Sequence, residues 1–250
     1  MGKLSLSCAV VCMACAQAMA GPNYTWVGGA DSTAGWSTAA NWSPGYVPDA
    51  GSDVTFDSSA TTSFVWDDRA RTIGTLTYNS ASDFTVAGTN STVLTINSGV
   101  TTLAGSGTVA IQPVVKLGGD NVWNVAEGTN LVFASTQYYG SGYGANQMNG
   151  RNIVKTGGGT VTVAGGFVGT SAQGSLTVSD GTFYNAWAGF FSDLTGSGTF
   201  KWYYTQTVQL SHSSGYVGML QGPTNYGITI YMTDPSVTYT LAGNCIVSSG

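Results

Sequence analysis

The stretch NIVKTGGGTVTVAGG, residues 152–166, decides the fold of this chain. Its centre, residues 160–164, alternates polar and apolar side chains, which is the period of a strand with one buried face. Glycines flank it at 157–159 and 165–166, where tight corners favour residues without a side chain. Variants of the same unit recur as VLTINSG at 93–99, GSGTVAI at 105–111, GSLTVSDGTF at 174–183 and GSGTF at 196–200. The sequence therefore predicts short strands joined by Gly-rich corners and repeated along the chain.

The overall composition favours an all-β fold. The 250 residues include 36 glycines, only 8% charged residues and a single glutamate, Glu127, so strong helix formers are scarce. Hydrophobic residues reach 42% and aromatic residues 12%, which argues against a disordered chain. The formal net charge is −5, and the six Lys and Arg residues beyond residue 20 are scattered. This distribution argues against nucleic acid as a partner.

The segment KTGGGTVTVAGG resembles the K-x-G-x-G-T-L-x-L-x-G unit of autotransporter-associated β-strand repeats, found in secreted bacterial passenger proteins. The resemblance implies a right-handed parallel β-helix. The strand spacing alone also fits antiparallel hairpins in a β-sandwich or barrel, although the Gly-Ser-Gly corners and the scarcity of Asn-Gly turns favour the β-helix. The matching residues are Lys155, Gly157, Gly159, Thr160, Val161, Val163 and Gly165.

Residues 1–20 have the features of a secretory signal peptide. One cation, Lys3, precedes an apolar stretch that ends in Ala18-Met19-Ala20, a cleavage site of the A-x-A type. The apolar run is too short to span a bilayer, so we expect no membrane-spanning segment in the mature chain. Cleavage would leave Cys245 as the only cysteine, which predicts a fold without internal disulfides. The expected location is secreted, either extracellular or on the cell surface at the outer membrane.

Residues 21–60 differ from the rest of the chain, because they contain three tryptophans and four aspartates. We interpret them as a Trp-rich cap that covers the open end of the β-helix, which would otherwise pair with other chains. A platform of exposed indoles for stacking on sugars, or a calcium site, are the alternatives. The pattern also resembles the N-terminal module that precedes β-helix repeats in such secreted proteins, through Trp26, Gly28, Trp36, Asn41, Trp42, Pro48, Asp53, Val54 and Phe56.

Residues 61–250 are predicted to form the β-helix repeats, with three strands in each coil of roughly 20 to 25 residues. The chain stops in mid-pattern, so we expect a fragment truncated at its C-terminal end. The predicted strands of the first half are 64–68, 72–78, 84–88, 93–97, 101–105, 108–111, 114–118, 122–128 and 130–133.

Two groups of aromatic residues are candidates for carbohydrate binding. Residues 135–151 lack periodicity and are predicted to form a protruding loop, in which tyrosines with amide neighbours suit glycans. In the run 200–204, alternate side chains share a face, and stacking in the core is the alternative to an exposed aromatic strip. The candidate residues are Tyr138, Tyr139, Tyr143, Trp202 and Tyr204.

No catalytic site, metal site or cofactor is predicted. His212 is the only histidine, and no nucleophile motif accompanies it. The acids and cations of residues 67–71 are the only local cluster of the type that β-helix polysaccharide lyases use, but the adjacent Asp67 and Asp68 should point to opposite faces of a strand. The sequence thus predicts a structural or adhesive scaffold at the cell surface. A carbohydrate-binding module and a polysaccharide lyase or hydrolase are the alternatives, with glycans or cell-surface components as partners.

Overall fold

A computed structural model describes residues 23–29, 34–89, 91–135, 146–167, 174–186, 191–203, 206–210, 218–222, 228–232 and 245–246. The predicted signal peptide at 1–20 lies outside these residues. The described chain is almost entirely β-structure, as the composition predicts, with one short 3₁₀ helix at Ala39–Asn41.

Twenty-one strands account for this β-structure. Each is short because a corner interrupts the alternating pattern after a few residues. They are β1 (Asn23–Trp26), β2 (Trp42–Ser43), β3 (Asp53–Asp57), β4 (Phe64–Asp67), β5 (Arg71–Asn79), β6 (Phe84–Gly88), β7 (Val93–Thr102), β8 (Thr108–Ile111), β9 (Val114–Leu117), β10 (Asn121–Val125), β11 (Asn130–Phe133), β12 (Ile153–Thr156), β13 (Thr160–Val163), β14 (Ser175–Val178), β15 (Thr182–Asn185), β16 (Asp193–Gly196), β17 (Thr199–Trp202), β18 (Gln206–Leu210), β19 (Met219–Gln221), β20 (Ile228–Met232) and β21 (Cys245–Ile246).

The strands stack into a parallel β-solenoid. The first sheet has the order β16-β14-β12-β10-β7-β5-β3-β1-β2, with β9 joined to β7, and the second has the order β21-β19-β17-β15-β13-β11-β8-β6-β4. Alternation between the two sheets along the chain is the signature of a chain that winds around one axis. Within the described residues only the pair β1 and β2 is antiparallel, so the β-helix prediction is confirmed and the sandwich is excluded.

A third face completes each coil in the first part of the stack. Residues 71–73 at the start of β5 pair with residues 93–96 of β7, which pair in turn with β9. The prediction of a separate strand at 101–105 is wrong, because residues 101 and 102 end β7 after a register shift near Gly99. A side chain at Gly99 would collide with the carbonyl oxygen of Val122, so glycine lets β7 pass from one face to the next without a break.

The apolar residues of the alternating pattern point inward and stack coil upon coil. In the second sheet, Val161 pairs with Phe183 and Phe183 with Phe200, and all three are fully buried. The rings of Phe183 and Phe200 are nearly parallel, at 13°, with centroids 6.1 Å apart. The first step spans 22 residues and the second only 17, so the coil is less regular than the predicted 20 to 25 residues.

The N-terminal aromatic residues form the predicted cap. Trp26, Trp36 and Trp42 are at most 1% exposed, and the Trp42 indole lies 5.0 Å from Trp26 and 4.8 Å from Trp36. The Nε1 atom of Trp42 also donates a hydrogen bond to the carbonyl oxygen of Trp36 at 2.8 Å. Phe56 joins this cluster to Phe84 of the next coil, at 4.6 Å. Because the indoles are buried, they offer no platform for a sugar ring.

The predicted loop at 135–151 is only partly a protrusion. Residues 136–145 lie outside the described part of the chain, but residues 146–148 return to the stack. Gln147 pairs with Lys116 of β9, and Asn146 is fully buried and accepts a hydrogen bond from the main-chain N–H of Val115 at 2.9 Å. Met148 is fully buried as well. Amide side chains that satisfy backbone groups, rather than an apolar pattern, hold this segment in the third face.

Helices of the kind that cross a membrane, long and apolar, do not occur among the described residues.

Candidate functional site

A cluster of charged side chains joins the cap to the first coil. Arg71 donates from Nε to Oδ1 of Asp67 at 2.7 Å, and from its other nitrogens to Asp68 and to Ser37 of the cap. The Ser37 hydroxyl donates to Asp68 at 2.8 Å and accepts from Arg69. As predicted, the two aspartates face opposite ways, because the Asp67 side chain has no exposed surface while that of Asp68 is 40% exposed.

Burial separates the acidities of the two aspartates. Loss of hydration is the largest effect on Asp67 and raises its pKa to about 6, although Arg71 opposes the rise. Partial burial acts in the same sense on Asp68, but hydrogen bonds from Ser37 and Arg71 hold its pKa below the ordinary value. The Oδ2 atom of Asp67 is buried without a hydrogen bond. An uncharged carboxyl group suits that environment better than a carboxylate.

An open groove of about 280 Å³ lies beside this cluster, but the acids do not line it. Its walls are Pro48, Ala50, Ala70, Arg71, Thr72 and Thr95. Arg71 reaches the groove while its guanidinium is held by Asp67 and Asp68 and lies 5.3 Å from the centre of the Trp36 ring. The cluster is thus built to fix the cap on the stack, and a substrate in the groove would meet neither carboxylate.

Most of the predicted sugar-binding residues lie outside the described chain, namely Tyr138, Tyr139, Tyr143 and Tyr204. Trp202 is described, and its side chain is only 5% exposed. Its ring packs toward the core, 6.3 Å from that of Phe200. The expectation of an exposed ring at Trp202 therefore does not hold, because the even-numbered residues of the run 200–204 point inward.

The opposite face of the same strand carries three side chains that we call the Tyr–Lys patch: Tyr184, Lys201 and Tyr203. Tyr184 of β15 and Lys201 of β17 are register partners, and the Lys201 Nζ lies 5.5 Å from the centre of the Tyr184 ring. Tyr203 continues the strand outward and is 49% exposed. Burial raises the pKa of Tyr184, and the nearby Tyr203 raises it further.

The patch lies in an uncharged part of the molecule. Between residues 181 and 232 the sequence contains one Lys, one Asp and one His, at 201, 193 and 212. Asp193 is 8% exposed, whereas Lys201 is exposed. The neighbouring outward positions on β15 and β17 are Thr182 and Thr199, which are also register partners. The surface around Lys201 is therefore hydroxyl-rich, with a single exposed positive charge.

The patch could have been located from the repeat itself. The units Thr182-Phe183-Tyr184 and Thr199-Phe200-Lys201 share one pattern, and aligning them makes Tyr184 and Lys201 neighbours on the outer face. The number of aromatic residues in this region drew attention to Trp202 instead.

A second cation, Lys155 of the defining repeat, is buried in the core. Its register partners on the inner face are Trp123 and Val178, and its Nζ donates hydrogen bonds to the carbonyl oxygens of Gly157 and Asp180. Burial lowers the pKa of Lys155 to about 8, with the Asp180 charge opposing the shift. A side chain at Gly181 would collide with this ammonium group. The Lys-x-Gly pattern thus has a structural cause, since Lys155 ties one corner to the next.

No group of three His, Cys, Asp or Glu side chains in the described ranges is arranged to hold a metal ion. His212 and the segment around it lie outside those ranges.

Comparisons of the chain with protein-family models, with curated proteins and with solved structures found no match.

Proposed function

We propose that this chain is an extracellular scaffold, similar to an autotransporter passenger, that is secreted or displayed on the bacterial cell surface for a structural or adhesive role. The observation that carries the proposal is the unbroken parallel pairing of the first sheet from β1 to β16, through seven successive strand pairs. Such a stack is held by interactions between neighbouring coils and presents long, regular faces to its surroundings.

The outer faces support this role. In the first sheet, outward positions on successive coils carry Thr55, Thr77, Thr101, Asn124 and Thr156 in register. Rows of uncharged hydroxyl and amide groups tolerate water on one side and sugars or other cells on the other. The predicted signal peptide supports export.

Fractionation of bacteria that express the tagged full chain tests the proposal. We expect the protein in the medium or at the cell surface, accessible to added protease, with Gly21 as its new N-terminal residue. A chain lacking residues 2–20 should stay in the cytoplasm, and Ala18→Lys should block cleavage. An intact Met1 on a wild-type chain retained in the cytoplasm would refute the proposal.

Carbohydrate binding without catalysis is the second candidate function. It is favoured by the Tyr–Lys patch, in which two tyrosines and an exposed cation share one outer face. A panel of soluble polysaccharides, tested by affinity electrophoresis with the full chain, should reveal retardation by at least one polymer. Retardation by none would leave the scaffold role alone.

A polysaccharide lyase or hydrolase receives less support from the geometry. The acid of the charged cluster with the raised pKa, Asp67, has no exposed surface, and Arg71 is held by both aspartates. Release of unsaturated or reducing ends from the same panel by wild type, lost in Asp67→Asn, would revive this alternative.

A further inference from the structure

We propose that the Tyr–Lys patch binds a polysaccharide that carries one carboxylate on each sugar, that is, a polymer of uronic acids. The inference rests on the proposed carbohydrate-binding function and adds the chemical class of the ligand.

The first support is the geometry of the three side chains. Lys201 pairs with Tyr184 across the strands and is followed by Tyr203, two residues along. Neighbouring strands lie about 4.8 Å apart, and residues i and i+2 of one strand about 7 Å apart. The patch therefore spans the width of one or two sugar rings. Tyrosine rings offer apolar surface to the C–H groups of a pyranose, together with a hydroxyl for its polar edge.

The second support is charge. Lys201 forms no ion pair with another described residue, and the sequence from 181 to 232 contains only one acid, Asp193, which is buried. An exposed cation without a nearby acid attracts anions, in a protein whose net charge of −5 otherwise repels them. The ligand group that complements Lys201 is consequently negative.

The third support is the number of cations. A densely sulfated glycan presents several charges on each disaccharide and calls for a cluster of Lys and Arg residues. Here one ammonium group stands beside the hydroxyls of Thr182 and Thr199. One carboxylate flanked by sugar hydroxyls matches one ammonium flanked by threonine and tyrosine hydroxyls, and a charge-assisted hydrogen bond would join the two charges.

The test uses the purified full chain and three probes: polygalacturonate, the same polymer with its carboxyl groups fully methyl-esterified, and heparin. Binding is measured by affinity electrophoresis and by tyrosine fluorescence. We expect polygalacturonate to bind, with at least tenfold weaker binding of the esterified polymer and of heparin. Lys201→Gln should weaken binding of polygalacturonate about fivefold, as for an exposed ion pair, and Tyr203→Ala should weaken it as well.

The matched control is Lys116→Gln, which removes a cation from the third face, away from the patch. It should leave binding unchanged, and the circular dichroism of all variants should match wild type. Equal loss in Lys116→Gln and Lys201→Gln would overturn the proposal, because it would mean non-specific attraction. Preference for heparin, or undiminished binding by Lys201→Gln, would also overturn it.

The two proposals fail in different ways. If wild type binds neutral or esterified polymers as well as polygalacturonate, the carbohydrate-binding function stands and the uronic acid class is wrong. If wild type binds none of the probes or of the wider polysaccharide panel, both are wrong.

Discussion

The Asp67 carboxylate and the Arg71 guanidinium form an ion pair in which Oδ1 lies 2.7 Å from Nε, and the Asp67 side chain has no exposed surface. Arg71 also holds Ser37 of the cap. The pair therefore connects the N-terminal cap with the strands behind it, and its loss should be felt in the stability of the whole stack.

Replacing Arg71 with Met should lower the free energy of unfolding by about 3–5 kcal/mol, because it leaves the Asp67 charge buried without its partner. Chemical denaturation followed by tryptophan fluorescence measures the change. Arg69→Met is the matched control, since the Arg69 side chain is 64% exposed and its ion pair contributes less than about 1 kcal/mol. Equal losses in the two variants would contradict the role given to the buried pair.

The pKa of Asp67 predicts how stability changes with pH. Its folded value of about 6 lies above the ordinary 3.8, so folding favours the protonated form. This contribution, at most about 3 kcal/mol, is fully present below pH 3.8 and is lost as the pH rises through 6. Arg71, Asp68 and Arg69 surround the group and titrate outside this window or are exposed to solvent.

The measurement compares wild type with Asp67→Asn, because the variant keeps the other groups and lacks this titration. The stability of wild type relative to the variant should fall between pH 4 and pH 7. A difference that is constant over this range would show that Asp67 has an ordinary pKa.

Lys155 predicts the opposite trend at high pH. Its folded pKa of about 8 lies below the ordinary 10.5, so the unfolded chain binds the proton more tightly. Stability relative to Lys155→Met should therefore rise between pH 8 and pH 10. Urea denaturation at pH 7, 8, 9 and 10 measures this, and the exposed Lys201→Met serves as the control. Parallel curves for wild type and Lys155→Met would contradict the prediction.

Gly181 tests the cause of the repeat motif. It has a φ of 64°, and a methyl group there would strike the carbonyl oxygens of Gly157 and Gly159 as well as Lys155. Gly181→Ala should cost about 1–2 kcal/mol for the left-handed backbone plus about 1–3 kcal/mol for the collision. Gly128 has a φ of 76° and open space around it, so Gly128→Ala should show only the first cost. Similar melting temperatures for the two variants would exclude the steric explanation.

The cap predicts a contrast between two tryptophans. Trp42 is 1% exposed and contacts Trp26 and Trp36, so Trp42→Ala should destabilise the protein by about 3–5 kcal/mol. Trp66, which is 41% exposed on the outer face of β4, should cost about 1 kcal/mol or less when it is replaced by Ala. Thermal unfolding measures both, and a larger loss at Trp66 would refute the cap.

The alternating pattern predicted the fold well because it reports which side of each strand is buried. It places Val161 and Val163 in the core, as the structure does. The same parity places Lys155 with Ile153 on the inner face, but a lysine there is expected to be exposed. Only the two carbonyl groups that bind its ammonium group, one of them 25 residues away in the sequence, make the buried position acceptable.

Other features could not be predicted because they depend on distant contacts. The return of Asn146 to the third face rests on a hydrogen bond to Val115, 31 residues earlier. The joining role of Arg71 depends on Ser37, which is 34 residues away. Likewise, the Tyr–Lys patch requires the exact register of β15 and β17, which a coil length varying between 17 and 22 residues conceals.

The reversed direction of β2 has a consequence for self-association. A parallel solenoid can polymerise head to tail if the last coil of one molecule continues the ladder of the next. In the first sheet, however, the edge beside β1 is occupied by β2, a two-residue strand that runs antiparallel to it. An incoming parallel strand would meet too short and wrongly oriented a template there. That edge of the sheet therefore resists fibril growth while the ladder behind it keeps its regularity.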